Sequence, residues 1–166
     1  MGIEIERRFL VANEDWKSKI VLSEDFSQAY LNSNMDEWVT RVRIIDNRKA
    51  YLTLKSSLNR LTSYEFEYSI PIKDATELIK SSKYKINKTR YQIKINKKHW
   101  TIDIFSGSNF PLKIAEIELN YEDEEIQIPS WCEQEVTGIK SLSNASLAKT
   151  PISQLSVKDR LKQKES

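Results

Sequence analysis

A single cysteine, Cys132, in a chain of 166 residues rules out an internal disulfide framework. A single histidine, His99, leaves no Cys/His cluster to hold zinc. Glycine is scarce, and no glycine-rich loop is present to cradle a nucleotide. No apolar run is long enough to span a bilayer. The first residues carry charge where a secretory leader has an apolar stretch. Lys plus Arg (26) and Asp plus Glu (24) nearly cancel to a net charge of +2, so no broad basic field attracts nucleic acid. These absences lead us to expect a cytoplasmic protein with neither a nucleic-acid nor a membrane partner.

What is present is charge arranged in pairs. Glu4, Glu6 and Arg8 come first, followed by Arg41 and Arg43, Glu65 and Glu67, Lys88 and Arg90, and Glu116 and Glu118. One intervening, mostly apolar residue separates the members of each pair: Ile5, Val42, Phe66, Thr89 or Ile117. Side chains two apart on a strand share a face. Like charges held side by side repel unless an opposite charge lies between them. A divalent cation would serve the acids, and a polyphosphate would serve the bases.

Hydrophobic periodicity predicts strands over 3–11, 27–32, 37–45, 50–55, 62–71, 85–95, 100–105 and 112–121, with 133–137 extending the sheet. The stretch 62–71 alternates most clearly, with Tyr64, Phe66, Tyr68 and Ile70 opposite Glu65, Glu67 and Ser69. Asn13, Glu14 and Asp15 read as a helix start with Trp16 and Ile20 on one side. A short helix follows Pro71, over 74–79. From 140 onward the chain reads as helical, broken at Pro151. We expect one domain over 1–155, and a helical, fraying tail over 156–166. About eight strands in consecutive antiparallel order suffice to close a barrel. The fold class is therefore α+β: an eight-stranded antiparallel barrel with a charged lumen, apolar faces outward and helices at the periphery.

A solvated sheet face with cross-strand ion pairs is the ordinary explanation for any single pair. The set as a whole argues otherwise. Ordinary solvated faces mix signs and use Thr, Ser, Gln and Lys. Here Arg dominates the bases and Glu the acids. Arg suits bidentate phosphate contacts, and clustered carboxylates suit Mg²⁺ or Mn²⁺. Other residues read more plainly. His99 is an exposed turn histidine, Cys132 a buried small residue, Trp38 and Trp100 packing residues, and 122–125 a solvated acidic loop.

The segment Glu4-Ile5-Glu6-Arg7-Arg8 resembles the N-terminal E-x-E-x-K signature of the CYTH family, the triphosphate tunnel metalloenzymes. Arg41-Val42-Arg43, Leu52-Thr53-Leu54-Lys55 and Glu65-Phe66-Glu67 up to Pro71 are similar to further segments of that family, in order. So are Lys88-Thr89-Arg90, the strand through Asp103, Ala115-Glu116-Ile117-Glu118, and Glu135-Val136-Thr137 with Asn144, Leu147 and Pro151. The pattern is nearest the bacterial branch. Four positions depart from it: Arg8 for Lys, Ser63 for Arg, Ala29 for Gly and Ser69 for an acid.

This resemblance implies an eight-stranded tunnel with a site inside. Glu4, Glu6, Asp103, Glu116 and Glu118 would be ligands of Mg²⁺ or Mn²⁺. Arg8, Arg41, Arg43, Lys55, Lys88 and Arg90 would hold phosphate oxygens. Glu65 and Glu67 would hold the bases in place or help to bind a second metal, completing a catalytic set with Glu4, Glu6 and Arg8. The implied reaction is metal-dependent hydrolysis of a triphosphate, foremost inorganic tripolyphosphate, by a monomer or homodimer. Thiamine triphosphate or nucleoside triphosphate hydrolysis and adenylate cyclase chemistry are alternatives. Arg8, which cannot give up its proton, motivates a further one: a polyphosphate- or nucleotide-binding module without turnover.

Overall fold

A computed structural model describes residues 2–32, 34 and 37–155. The expected tail, 156–166, lies outside the described residues. Nine strands form one antiparallel sheet: β1 (Gly2–Val11), β2 (Ile20–Tyr30), β3 (Val39–Ile45), β4 (Lys49–Ser57), β5 (Thr62–Ser69), β6 (Tyr84–Ile95), β7 (Lys98–Phe105), β8 (Lys113–Glu118) and β9 (Cys132–Glu135). Two α-helices accompany them, α1 (Ile72–Ser81) and α2 (Asn144–Lys149), with short 3-10 turns such as Asp15–Lys19.

The strand order is β5-β4-β3-β2-β6-β7-β8-β1, closed by pairing of β5 with β1. Eight strands thus make the expected barrel. Strictly consecutive pairing does not hold, because α1 carries the chain over the barrel and β6 pairs with β2. One edge of β1 is shared. Its first half pairs with β5, Gly2 opposite Glu65 through Ile5 opposite Thr62. Its second half takes β9, with Phe9 opposite Glu135 and Val11 opposite Cys132. The other edge pairs with β8.

Turn chemistry fixes the hairpins. Asn96 and Lys97 adopt φ of 47° and 67°, the left-handed pair that a two-residue hairpin needs. Asp46 and Asn47 are also left-handed, at 50° and 54°, in the three-residue turn between β3 and β4. The expected strand and helix bounds shift most near the N-terminal end. β2 begins at Ile20, seven residues before the predicted start, because Val21 and Leu22 face solvent and give no alternation. Ile20 therefore belongs to a strand instead of a helix face, and a 3-10 turn buries Trp16 alone. The acidic loop is tethered: Glu122 accepts from Asn59 at 2.7 Å, and Glu124 accepts from the Asn120 amide at 2.6 Å.

The core lies mostly outside the barrel. Phe9, Ile93, Trp100, Ile102, Ala115 and Ile117 point outward and are covered by Trp16, Leu119 and Trp131. Ala75 of α1 covers Val42, Ile44 and Ala50. A third cluster departs from the expected charged lumen. Tyr30, Ile86, Phe105 and Ile114 fall on the inward register of their strands and pack with Val136, Leu142, Ala145 and Leu147. The C-terminal segment thus makes one part of the lumen apolar. Trp38 packs less than expected, since 44% of it is exposed. Among the described residues no helix is long and apolar enough to cross a membrane.

Removing the Ile102 side chain opens a cavity in the cluster that holds Trp16, Trp100 and Trp131, so Ile102→Ala should cost about 2–5 kcal/mol, while exposed Tyr68→Ala should cost less than about 1 kcal/mol. Urea unfolding of both variants checks this. Burial pushes the Cys132 thiol up to about 12. At pH 8 it is a thiol, so iodoacetamide should label it slowly in the native protein and quickly in urea.

Candidate active site

Period-two geometry delivers the charged residues inward. A cavity of about 830 Å³ opens inside the barrel, a volume suited to a small ligand. Nine basic side chains and five glutamates line it, an excess that favours an anion. All six expected phosphate-binding bases are among them: Arg8, Arg41, Arg43, Lys55, Lys88 and Arg90. So are Glu4, Glu6, Glu65 and Glu116.

The charges interlock in three groups. Lys55 contacts Glu4, lies 3.6 Å from Glu6 Oε1 and 3.4 Å from Glu65 Oε2. Burial and the neighbouring Glu6 push the Glu4 carboxyl up to about 7, although Lys55 opposes the shift. Burial would lower the Lys55 ammonium, but Glu6, Glu4 and Glu65 outweigh it and keep the lysine charged. This is a crowd of hard oxygen donors around a cation.

The second group is held by Glu67, which does not line the cavity. Its Oε2 accepts from Arg43 at 2.7 Å, Arg41 at 3.4 Å and the Thr53 hydroxyl at 2.8 Å. Glu65 adds a 3.7 Å contact to Arg41. Burial, with Arg41 beside it, lowers Arg43 to about 10. The Nε atoms of Arg41 and Arg43 are buried and without a hydrogen-bond acceptor among the described residues. Two unmet donors on a cavity wall invite an anionic oxygen.

The third group centres on Asp103, fully buried behind the cavity wall. Arg90 donates to it twice, at 2.7 Å each, and Lys88 contacts it as well. Arg90 also donates to Glu116 at 2.6 Å, and Arg8 donates to Glu116 at 3.2 Å. Burial alone would raise Asp103 and Glu116. The adjacent cations reverse that and hold both carboxyls below their usual range. Burial lowers Lys88 to about 8. Arg8 has a further role that the sequence did not disclose: it donates to the Leu142 carbonyl at 3.1 Å, tying β1 to the C-terminal segment.

Two expected ligands therefore stand apart. Glu118 faces Glu6 across the β1–β8 ladder but is exposed and outside the cavity lining. Asp103 is engaged by two cations. Among the described residues no group of three or more carboxylates forms a ready-made metal cage. The donor chemistry at Glu4, Glu6 and Glu65 nevertheless fits a hard divalent ion, since such an ion would relieve the crowding that raises Glu4. Charge pairing also overlooked uncharged lining residues. Tyr30 is nearly buried, lines the cavity and has its hydroxyl 3.3 Å from Gln28 Nε2. Its only signal is its place two residues beyond Gln28.

A closed antiparallel barrel whose interior carries interlocked acids and bases defines a class of anion-binding tunnel proteins. The CYTH domain family matches residues 2–151, and this chain belongs to that family. An inorganic triphosphatase from Acetivibrio thermocellus is 39% identical over 155 residues, covering 91% of this chain and 96% of the relative. An inorganic triphosphatase from Nitrosomonas europaea is 31% identical over 149 residues, covering 87% of this chain and 96% of the relative. A crystal structure of an inorganic triphosphatase superposes with a TM-score of 0.66 at 30% identity, covering 87% of this chain and 93% of that one.

Asp103→Asn leaves Lys88 and Arg90 buried with weaker partners. It should destabilise the protein by about 3–5 kcal/mol at pH 7. A carboxyl lowered on folding contributes stability above its unfolded pKa and loses it as pH falls through the folded value. The destabilisation by Asp103→Asn should therefore shrink as the pH falls through the acid range, which acid and urea titrations would measure.

Proposed function

We propose that this protein hydrolyses the terminal phosphoanhydride of a triphosphate, foremost inorganic tripolyphosphate, with Mg²⁺ or Mn²⁺. One observation carries the reading: six Arg and Lys side chains from four strands converge on one cavity whose wall also holds Glu4, Glu6, Glu65 and Glu116. The family membership and the names of the two curated relatives support it.

The roles follow from the contacts. Arg41 and Arg43, held by Glu67, offer their free Nε–H groups to phosphate oxygens. Lys88 and Arg90, oriented by Asp103, face the same cavity and stabilise charge that grows in the transition state. Arg8 and Lys55 complete the ring of cations. Glu4, Glu6, Glu65 and Glu116, which line the cavity, would hold the divalent ion, with Asp103 supporting from behind the wall and Glu118 from its place opposite Glu6 on β8. When bound, that ion would neutralise phosphate charge and stabilise the leaving group. A water molecule is the nucleophile, oriented by a carboxylate of the Glu4, Glu6 and Glu65 group. The P–O bond to the terminal phosphoryl breaks, giving orthophosphate and pyrophosphate from tripolyphosphate.

The test is phosphate release from tripolyphosphate, thiamine triphosphate, ATP and pyrophosphate, with and without Mg²⁺ or Mn²⁺. Metal-dependent release should be fastest on tripolyphosphate. Glu116→Gln should lower kcat by about 100-fold or more, with thermal unfolding as the control for folding. Wild-type protein that releases no phosphate from any of the four would sink the reading, and a rise in thermal midpoint with tripolyphosphate would then mark a binding module.

A further inference from the structure

Three cations of the cavity meet around one uncharged ring. Phe26 of β2 lies on the inward register with Gln28 and Tyr30 and is only 5% exposed. The Arg43 guanidinium lies 5.1 Å from its centroid, that of Arg90 5.3 Å, and the Lys88 ammonium 5.7 Å. Three cations from two strands thus share one aromatic partner. Lys88 also lies 5.6 Å from the Phe105 ring, so its ammonium sits between two phenyl groups.

Phe26 also has a second neighbour. A smaller cavity of about 330 Å³ is lined by Phe26 and Lys88 together with Asp25, Asp46, Asn87 and Ser106. Lys88 lines both cavities, whereas Phe26 lines only the smaller one. Because its ring contacts Arg43 and Arg90, which line the larger cavity, Phe26 stands between the two.

We propose that Phe26 is a positioning residue for phosphate binding: its ring stands behind the wall of the active-site cavity and holds Arg43, Lys88 and Arg90 together against their mutual repulsion. The inference rests on the triphosphatase reading above. Three like charges around one point repel, and Asp103, Glu67 and Glu116 compensate them from other sides. The electron-rich ring face adds an attraction that needs no further anion. It therefore aligns the cations while leaving their hydrogen-bond donors for phosphate oxygens.

The experiment compares Phe26→Leu with Phe26→Tyr. Leucine keeps an apolar side chain and lacks the ring face, while tyrosine keeps the ring. Phe26→Leu should raise KM for tripolyphosphate about tenfold with kcat changed less than about threefold. Phe26→Tyr should stay within about threefold of wild type in both constants, since the ring face is retained. Unchanged KM in Phe26→Leu, or an equal loss in both variants, would overturn the role. If the wild type proves inactive, the functional reading fails by itself. Calorimetric titration with tripolyphosphate then carries the comparison: weaker binding in the leucine variant alone supports the role of Phe26, and equal binding in all three proteins overturns it. Should the leucine variant not fold, binding by Phe26→Met against Phe26→Tyr decides in the same way.

Discussion

Every buried charge in this barrel is held by another, and the fold depends on that compensation. Asp103 has no exposure, yet it stays ionised because Arg90 grips both of its oxygens and Lys88 contacts one of them. Glu67 does the same for Arg41 and Arg43, and Lys55 for the Glu4, Glu6 and Glu65 crowd. A buried ion pair seldom adds net stability, but the loss of one partner is severe. The lumen therefore exists as a network, in which Asp103 and Glu116 hold Arg90 and are themselves kept charged by it.

The network also explains how binding and orientation are divided. Glu67 and Asp103 sit behind the cavity wall and never line it. Their bases do. Residues behind the wall fix the donors, and donors on the wall meet the anion. Arg8 joins the two duties, since it reaches Glu116 in the lumen and the Leu142 carbonyl of the C-terminal segment. An arginine offers two separate nitrogens for this, which a lysine does not.

Much of the plan was legible as period-two spacing. Glu65 and Glu67, Arg41 and Arg43, and Lys88 and Arg90 gave both the strands and their inward faces. Three features were hidden for physical reasons. The first half of β2 has exposed Val21 and Leu22 and so lacks alternation. The β5-to-β6 crossover is a long-range pairing that no local pattern encodes. The apolar part of the lumen comes from Tyr30, Ile86, Phe105 and Ile114, which by pattern alone are ordinary strand residues. Within the site, charge was the signal, so the uncharged Phe26 and Tyr30 escaped it. Glu118 was placed with the ligands by the family resemblance, and it shares the face of Glu116, but strand register decides the face of a side chain and not its depth.

The separation of core from lumen has a consequence for descent. Alternate residues of the same strands serve two unrelated ends: Ile102 and Ile117 hold the molecule together, while Asp103 holds the bases of the cavity and Glu116 lines it. A lineage can therefore rewrite its substrate preference one face at a time, without repacking what keeps it folded. The constraint lies in the partners. Because charges are compensated across strands, a viable change in one wall residue calls for a matching change in a neighbouring strand, so divergence in this architecture should proceed by correlated substitutions between adjacent strands.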